Sequence, residues 1–452
     1  MRVHFIAIGG SAMHNLAIAM KKNGYDVSGS DDEIFEPSKS RLQQYGLLPE
    51  TFGWFPEKLR PEIDFVILGM HAREDNPELL RARDMGLKIY SYPEFLYHHA
   101  KNKTRVVIGG SHGKTTITAM VLHVLSRLGR DFDYLVGSQL KDFEVMVRLS
   151  DTADVMVFEG DEYLSSPIDK RPKFHWYRPH LALLTGIAWD HINVFPTFEI
   201  YKKQFSEFID LMEDNGTLIY YEGDAVLREL VLSNQKDIEK IAYQGLDYTV
   251  ENNRLFVLFE GKKYPVKIFG KHNLQNLNGA RLVCNKLGVD NHTFFETIAT
   301  FEGAAKRLEL IANDGNTLVY KDFAHAPSKV KATLDAVRDR YPDKRVVACL
   351  ELHTFSSLNK HFLEQYRYAL DKADRACVYY DPHALKMKRL PMLKEEDVKQ
   401  AFGRKDLKVV HSTEEVKAWL MDQRQPNTVF LLMSSGNFGG IPLDRFGAQL
   451  LP

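Results

Sequence analysis

The sequence predicts an α/β protein of three domains, built on mostly parallel sheets covered by helices. Three observations predict it. Short apolar runs alternate with amphipathic helical stretches, the rhythm of strand–helix–strand units. A glycine-rich turn, GGSHGKTT (109–116), stands directly between such a run and a helix. After FEGAAKRLE (301–309) the same rhythm starts again, following a stretch of shorter β-type runs. The length of 452 residues suits about three domains of ~150 residues.

Taken in order, VHFIAI (3–8) is an apolar strand closed by Gly9 and Gly10, and LAIAMKKNGY (16–25) follows with helical period and a glycine stop. DVSGSD comes next, then PEIDFVILGM (61–70), a second buried strand. The polar stretch HHAKNKT (98–104) closes a first domain, 1–102. RVVIGG opens the second, 103–305, and TTITAMVLHVLSRLG (115–129) is its first helix, ending at Gly129. ADVMVFEGDE (153–162) and HLALLTGI (180–187) extend the same sheet. From about Thr217 to Gly270 the runs TLIYY, LFVLF and YPVKIF are short and β-like. The third domain, 306–452, carries TLVYKDFA, RVVACLEL, RACVYY and NTVFLLMSS as strands.

Composition narrows the function. Apolar residues are 44% and charged residues 26% of the chain, an ordinary globular balance. The net charge of −1, from 59 Lys+Arg against 60 Asp+Glu, excludes a dedicated nucleic-acid binder. The 3 cysteines (Cys284, Cys349, Cys377) lack zinc spacing and suit a reducing compartment. No apolar run approaches the ~18 residues that span a bilayer. MRVHFIAIGG reads as a first strand, because its glycines end the apolar stretch too soon for a signal peptide. The expectation is a cytoplasmic protein that binds neither nucleic acid nor membrane.

GGSHGKTT carries the strongest chemistry. A glycine-rich turn between strand and helix offers backbone N–H groups and a helix N-terminus to phosphate oxygens. Gly110, Ser111, His112, Gly113 and Thr116 form the cradle; Lys114 reaches the β/γ-phosphates, and the Thr115 hydroxyl suits magnesium. Ile108 stands where the longer form of this loop has its first glycine. The turn AIGGSAM (7–13) keeps only Gly9 in register with a dinucleotide fingerprint, with Asp31 about twenty residues on. It admits two readings, a nucleotide-type ligand or a tight structural turn, and the first alone would suggest an oxidoreductase. Glu159 ends the strand VMVF, with Asp161 and Glu162 close behind; these carboxylates suit magnesium or form a solvated acidic turn. Asp190-His191 also follows a strand, where His191 is a metal ligand or a structural histidine. The architecture expected is a Rossmann-like N-terminal domain, a central parallel sheet of the P-loop ATPase type with added β elements, and a Rossmann-like C-terminal domain.

Together these segments resemble the Mur ligase family, the ATP-dependent amide ligases of peptidoglycan precursor synthesis. GGSAM and GSD resemble its UDP-sugar-binding turn, GSHGKTT its shortened phosphate loop, and EGDE and DH its metal-binding acid and histidine. KHNLQNLNGA (271–280) resembles its HNxxN segment, which implies Asn276 near the adenine. AAKRLE resembles its junction before the third domain, which implies Arg307 as a phosphate contact. DFAHAP (322–327) resembles its D-x-x-H-x-P segment, which implies Asp322 at the ribose and His325 nearby. The resemblance implies ATP and Mg²⁺ as cofactors and Lys114, Glu159, His191 and Arg307 as catalytic groups, with Thr115, Glu159 and His191 on metal. It implies Gly9, Gly10, Ser11, Met13, Ser30, Asp31 and His71 around UDP-N-acetylmuramate, in a monomer or weak dimer.

DKRPKFHWYRP (169–179), MSSGNFGG (433–440) and GMHAREDNPE (69–78) resemble the members that recycle a whole tripeptide, L-alanyl-γ-D-glutamyl-meso-diaminopimelate, more than those that add L-alanine. The basic run Lys170-Arg171-x-Lys173 with Arg178 then faces an anionic substrate or forms a solvated loop, and His353 belongs to the substrate side of its strand end. Two departures touch the amine site. Ala326 replaces a second histidine, and ELHTFSS (351–357) lacks an arginine that relatives carry near His353. Some members also use a carbamylated lysine beyond the DH, but Lys202 and Lys203 come too early for that role. The implied chemistry is phosphorylation of a carboxylate by ATP, then attack by the amine on the acyl phosphate, releasing ADP and phosphate.

Overall fold

The computed structural model describes residues 1–140, 143–189, 192–251, 254–304 and 307–452. Strands β1 (Arg2–Ile6), β2 (Asp26–Ser30), β3 (Phe65–Leu68) and β4 (Lys88–Ser91) form a four-stranded parallel sheet in the order β2-β1-β3-β4. β1 stops two residues short of the expected strand because Ala7 turns with φ 68, its N–H donating to the Ser30 carbonyl at 2.9 Å. Strand order reverses between β1 and β3, and such a switch point opens a crevice beyond the strands' carboxyl ends.

The second sheet contains β5 (Thr104–Gly109), β6 (Asp133–Leu135), β7 (Val147–Arg148), β8 (Val155–Glu159), β9 (Leu181–Leu184), β10 (Thr217–Tyr221) and β11 (Glu239–Tyr243). Its order is β11-β10-β9-β5-β8-β6-β7, parallel except for β7. TLIYY therefore belongs to the parallel sheet, and the separate β element is smaller than the sequence rhythm predicts. It is an antiparallel meander of β12 (Tyr248–Glu251), β13 (Arg254–Phe259) and β14 (Lys262–Val266). The last sheet holds β15 (Glu309–Asn313), β16 (Leu318–Asp322), β17 (Arg345–Glu351), β18 (Arg375–Tyr379), β19 (Lys408–Val410) and β20 (Thr428–Met433), in the order β15-β16-β20-β17-β18-β19. Only β15 is antiparallel. Central strands read as continuous apolar runs because both faces are covered; Val106, Val107 and Ile108 on β5 are fully buried.

The chain packs as two compact units. Met1–Ile187, Lys202–Gln244 and Asn278–Ile298 make one, with the first two sheets; the other comprises Ala188–Tyr201, Gly245–Leu277 and Ala299–Pro452. Within the first unit, the helix Ser11–Lys22 is sewn to the segment before β7. Buried Asn15 accepts the Met146 N–H at 3.0 Å and donates to its sulfur at 3.3 Å. Lys22 and Tyr45 bind the Glu144 carboxylate, and Arg41 donates to the Gln139 side chain at 3.0 Å and the Glu144 carbonyl at 2.6 Å. No helix among the described residues is long and apolar enough to cross a membrane.

Candidate active site

At the end of β5 the chain turns through Gly109–Gly113 into the helix Lys114–Arg127. Gly110 (φ 111) and Gly113 (φ 76) adopt backbone angles that side chains disfavour. A Cβ on Gly110 would stand 2.3 Å from Thr185 Oγ1 and 2.7 Å from Thr185 N, so the position admits glycine alone. Thr185 holds the turn from β9: its N–H donates to the Gly109 carbonyl at 3.2 Å and its hydroxyl to that of His112. Ser111 N–H donates to the Gly186 carbonyl at 3.0 Å, and Ser111 and Thr116 are both buried. Gly113 supplies no side-chain cap, and the helix N-terminus favours a negative group.

Lys114 Nζ donates to Glu162 Oε2 at 2.7 Å, nearly out of solvent. Burial alone would lower the lysine's pKa, but Glu162, Asp161 and Glu159 together raise it, so the ammonium stays charged. Thr115 Oγ1 donates to Glu159 Oε1 at 2.6 Å, and Gly137 N–H donates to Glu159 Oε2, also at 2.6 Å. A Cβ on Gly137 would lie 2.8 Å from Glu159 Oε1. Burial and then Asp161 push the Glu159 carboxyl above the ordinary carboxylate range, against Thr115, Gly137 and Lys114. A hydroxyl and a carboxylate in contact are hard oxygen donors that fit Mg²⁺, an ion that keeps several waters and phosphate oxygens of its own. That reliance matters here, since no group of three or more His, Cys, Asp or Glu ligands occurs among the described residues. His191 and its neighbour Asp190 lie outside the described residues.

A cavity of about 290 Å³ opens beside Glu159. Gly10, Ser11, Met13 and His71 line it from the first sheet, and Gly137, Glu159, Asp161, Ser165 and Lys173 from the second. Asp31 shapes the first-sheet wall. It is buried, accepts the Gly9 N–H at 2.7 Å, and meets His71 Nε2 at 3.2 Å. The hydrogen bond to Asp31 raises the His71 pKa despite partial burial. A Cβ on Gly9 would fall 2.8 Å from Ile34 and 2.9 Å from the Asp31 carboxylate. Ser30 is buried as well, its hydroxyl accepting Lys58 Nζ at 3.1 Å.

The basic run divides. Lys170 sits 3.4 Å from Glu74, both largely exposed. Arg171 grips Asp169 through two bonds, at 2.9 and 3.0 Å, and stacks 4.0 Å above Trp176. Neither lines the cavity, whereas Lys173 does. Residues 161–174 fold back as a tight loop: Lys173 N–H donates to the Tyr163 carbonyl at 2.7 Å, Ser165 N–H to that of Arg171 at 2.9 Å, and Phe174 N–H to that of Asp161 at 3.1 Å. Sequence spacing gave no means of choosing among the three cations. Gly137, Thr185 and Lys58 are the site residues the sequence left unassigned.

The second unit holds the remaining expected residues. Asp322 is buried at the end of β16, accepting Leu308 N–H at 2.6 Å and Ala324 N–H at 2.7 Å, and burial pushes its carboxyl up despite Arg307. The Arg307 guanidinium lies 4.7 Å over the Phe323 ring. His325 Nδ1 meets the Phe323 carbonyl at 2.8 Å, and the Tyr366 hydroxyl donates to the His325 carbonyl. Asn276 is buried on the helix Lys271–Lys286 and reaches Asn273 Oδ1 at 3.5 Å. His353 is half exposed, 3.8 Å from Glu351. Glu351 was not singled out in the sequence, yet it is buried and accepts the Ser434 hydroxyl and, at 2.8 Å, the Phe438 N–H.

Residues 2–104 match the Mur ligase family catalytic domain, 108–284 the Mur ligase middle domain, and 306–436 the Mur ligase glutamate ligase domain. UDP-N-acetylmuramate–L-alanine ligase of Lactococcus lactis is 32% identical over 388 residues, covering 82% of this chain and 81% of its own. UDP-N-acetylmuramate–L-alanyl-gamma-D-glutamyl-meso-2,6-diaminoheptandioate ligase of Escherichia coli is 28% identical over 451 residues, covering 98% and 96%. Among solved structures, a murein peptide ligase from Psychrobacter arcticus superposes with a TM-score of 0.70 at 24% identity, covering 100% of this chain and 98% of that one. The UDP-N-acetylmuramate-alanine ligase of Thermotoga maritima gives 0.71 at 22%, covering 98% and 97%. Fold similarity is therefore equal for the two substrate classes.

Proposed function

The chain belongs to the Mur ligase family of ADP-forming ligases, with its three-domain α/β fold, and from that premise we propose that it joins UDP-N-acetylmuramate to L-alanyl-γ-D-glutamyl-meso-diaminopimelate in peptidoglycan recycling in the cytoplasm. One observation supports the site above all. A single cavity touches the glycine turn of the first sheet and also Glu159, which is bonded to Thr115 of the phosphate loop. A nucleotide sugar seated on Gly10, Ser11 and His71 then extends its carboxylate toward ATP on the loop Gly110–Thr116. Lys114 exchanges Glu162 for the β/γ-phosphates, and Thr115 and Glu159 hold Mg²⁺, which supplies charge neutralisation between the two anionic reactants. Asp322 orders the backbone of the Arg307 junction, and Arg307, Asn276 and His325 serve the nucleotide.

The peptide is favoured over L-alanine by the loop DKRPKF and by the segment MSSGNFGG, which wraps the buried Glu351 beside His353. The alternative, L-alanine ligation, draws on relatives of that activity such as the Lactococcus lactis enzyme. Phosphate release with ATP, Mg²⁺ and UDP-N-acetylmuramate decides between them. Turnover with the tripeptide alone is expected; turnover with L-alanine alone overturns the peptide reading.

A further inference from the structure

We propose that Lys173 is the cation that receives the lactyl carboxylate of the muramyl substrate and makes the cavity specific for it. The proposal rests on the muramate reading of the cavity. The cavity's second-sheet wall carries Glu159 and Asp161, so an entering carboxylate is repelled unless a cation stands on that side. Among the described residues, two basic side chains line the cavity, Lys173 and His71, and His71 is bonded to Asp31 at the opposite wall. Lys114 is bonded to Glu162 and serves the phosphates. Lys173 has only a loose ion pair, its Nζ 3.9 Å from Asp161 Oδ2, beyond hydrogen-bond length.

The ammonium is nonetheless well positioned. It lies 5.3 Å from the centres of both the Tyr92 and Tyr163 rings, a cation–π seat that orients the charge without using up its three donors. The folded-back loop fixes the residue's backbone opposite Tyr163. Its side chain is 17% exposed and that of Asp161 21%, low enough to strengthen a charge pair and open enough to admit a ligand. A UDP-sugar held at Gly10 and Ser11 thus meets a positive end only if it bears an anionic arm.

The test compares UDP-N-acetylmuramate with UDP-N-acetylglucosamine, which lacks the lactyl carboxylate, by calorimetric titration of the full chain without ATP. Wild-type protein is expected to prefer the muramate. K173M is expected to lose about 10- to 100-fold in muramate affinity while its glucosamine affinity is unchanged, and K173R to keep part of the preference. In turnover, K173M raises KM for UDP-N-acetylmuramate and leaves KM for ATP alone. Preference retained in K173M, or equal weakening of both nucleotides, overturns the assignment while the muramate reading stands. A wild-type protein that binds neither nucleotide refutes that reading, and the role of Lys173 falls with it.

Discussion

Exchanging Glu159 for glutamine separates the charge of that side chain from its shape. The glutamine oxygen can accept the Gly137 N–H as Oε2 does now, at 2.6 Å, and the new amide can donate to the Thr115 hydroxyl in place of the present 2.6 Å bond. Each bond weakened by loss of the ionised acceptor costs on the order of 1 kcal/mol. Against that, the variant buries no charge. The Glu159 pKa is raised in the folded protein, so folded chains hold the proton more tightly than unfolded ones. Above the ordinary value of 4.5, stability contributed by this group therefore falls as pH rises toward the folded value, and E159Q removes that slope. The opposing effects leave stability within about 1 kcal/mol of wild type at neutral pH, or about 2–4 °C in Tm. Loss of a preorganised charge contact should lower turnover by about 10²–10³. ADP release at saturating substrates, with thermal melts run with and without MgATP, reads both quantities. Turnover above a tenth of wild type would refute the magnesium assignment. A Tm lower by more than about 10 °C would make Glu159 a structural residue instead.

Lys114→Ala should abolish turnover and also destabilise the fold by about 3 kcal/mol, because it strips the buried Glu162 of its ion-pair partner. Urea unfolding of K114A/E162Q should recover most of that stability with turnover still absent; recovered activity would sink the role of Lys114. G110A forces a Cβ onto Thr185 at a φ of 111, strain of about 1–3 kcal/mol, and should weaken ADP binding at least ~10-fold with the far-ultraviolet dichroism unchanged. Undiminished ADP affinity in a calorimetric titration would show that the turn does not hold phosphate. The raised His71 pKa stabilises the fold fully below the ordinary 6.5 and loses that contribution as pH rises through the folded value. Comparing H71N with wild type by thermal melts should therefore give a larger difference at about pH 6 than at about pH 8; equal differences would remove the Asp31 pairing as the cause.

Local features were the legible ones. GGSHGKTT was readable because the turn's demands, positive φ at Gly110 and Gly113 and a helix starting at Lys114, are written in consecutive residues. β5 and β8 were readable because their covered middles, residues 106–108 and 156–158, are continuous apolar runs. DVSGS and KIYS were not, since β2 and β4 flank the apolar pair β1 and β3 and carry little hydrophobic signal themselves. TLIYY was legible as a strand but not as a neighbour of β9, because pairing is decided across the 32 residues of intervening chain, 185 to 216, rather than by its own pattern. Gly137 contributes only a backbone N–H to Glu159, which no side-chain pattern records. Lys170 and Lys173 have the same chemistry; a loop closed by Ser165 and Tyr163 turns one outward and the other inward.

The bonds from Asn15 to Met146 and from Lys22, Tyr45 and Arg41 to Glu144 have a consequence for how the cavity opens. Asn15 is fully buried and its nitrogen also donates to the Ser11 carbonyl of its own helix, so separating the first sheet from the second takes from its amide oxygen the Met146 N–H and breaks the Glu144 bonds at the same moment. Such groups open together or not at all. Amide protons on β1 and on β6 should accordingly exchange with solvent in one cooperative event, and the cavity persists for as long as that unit stays folded.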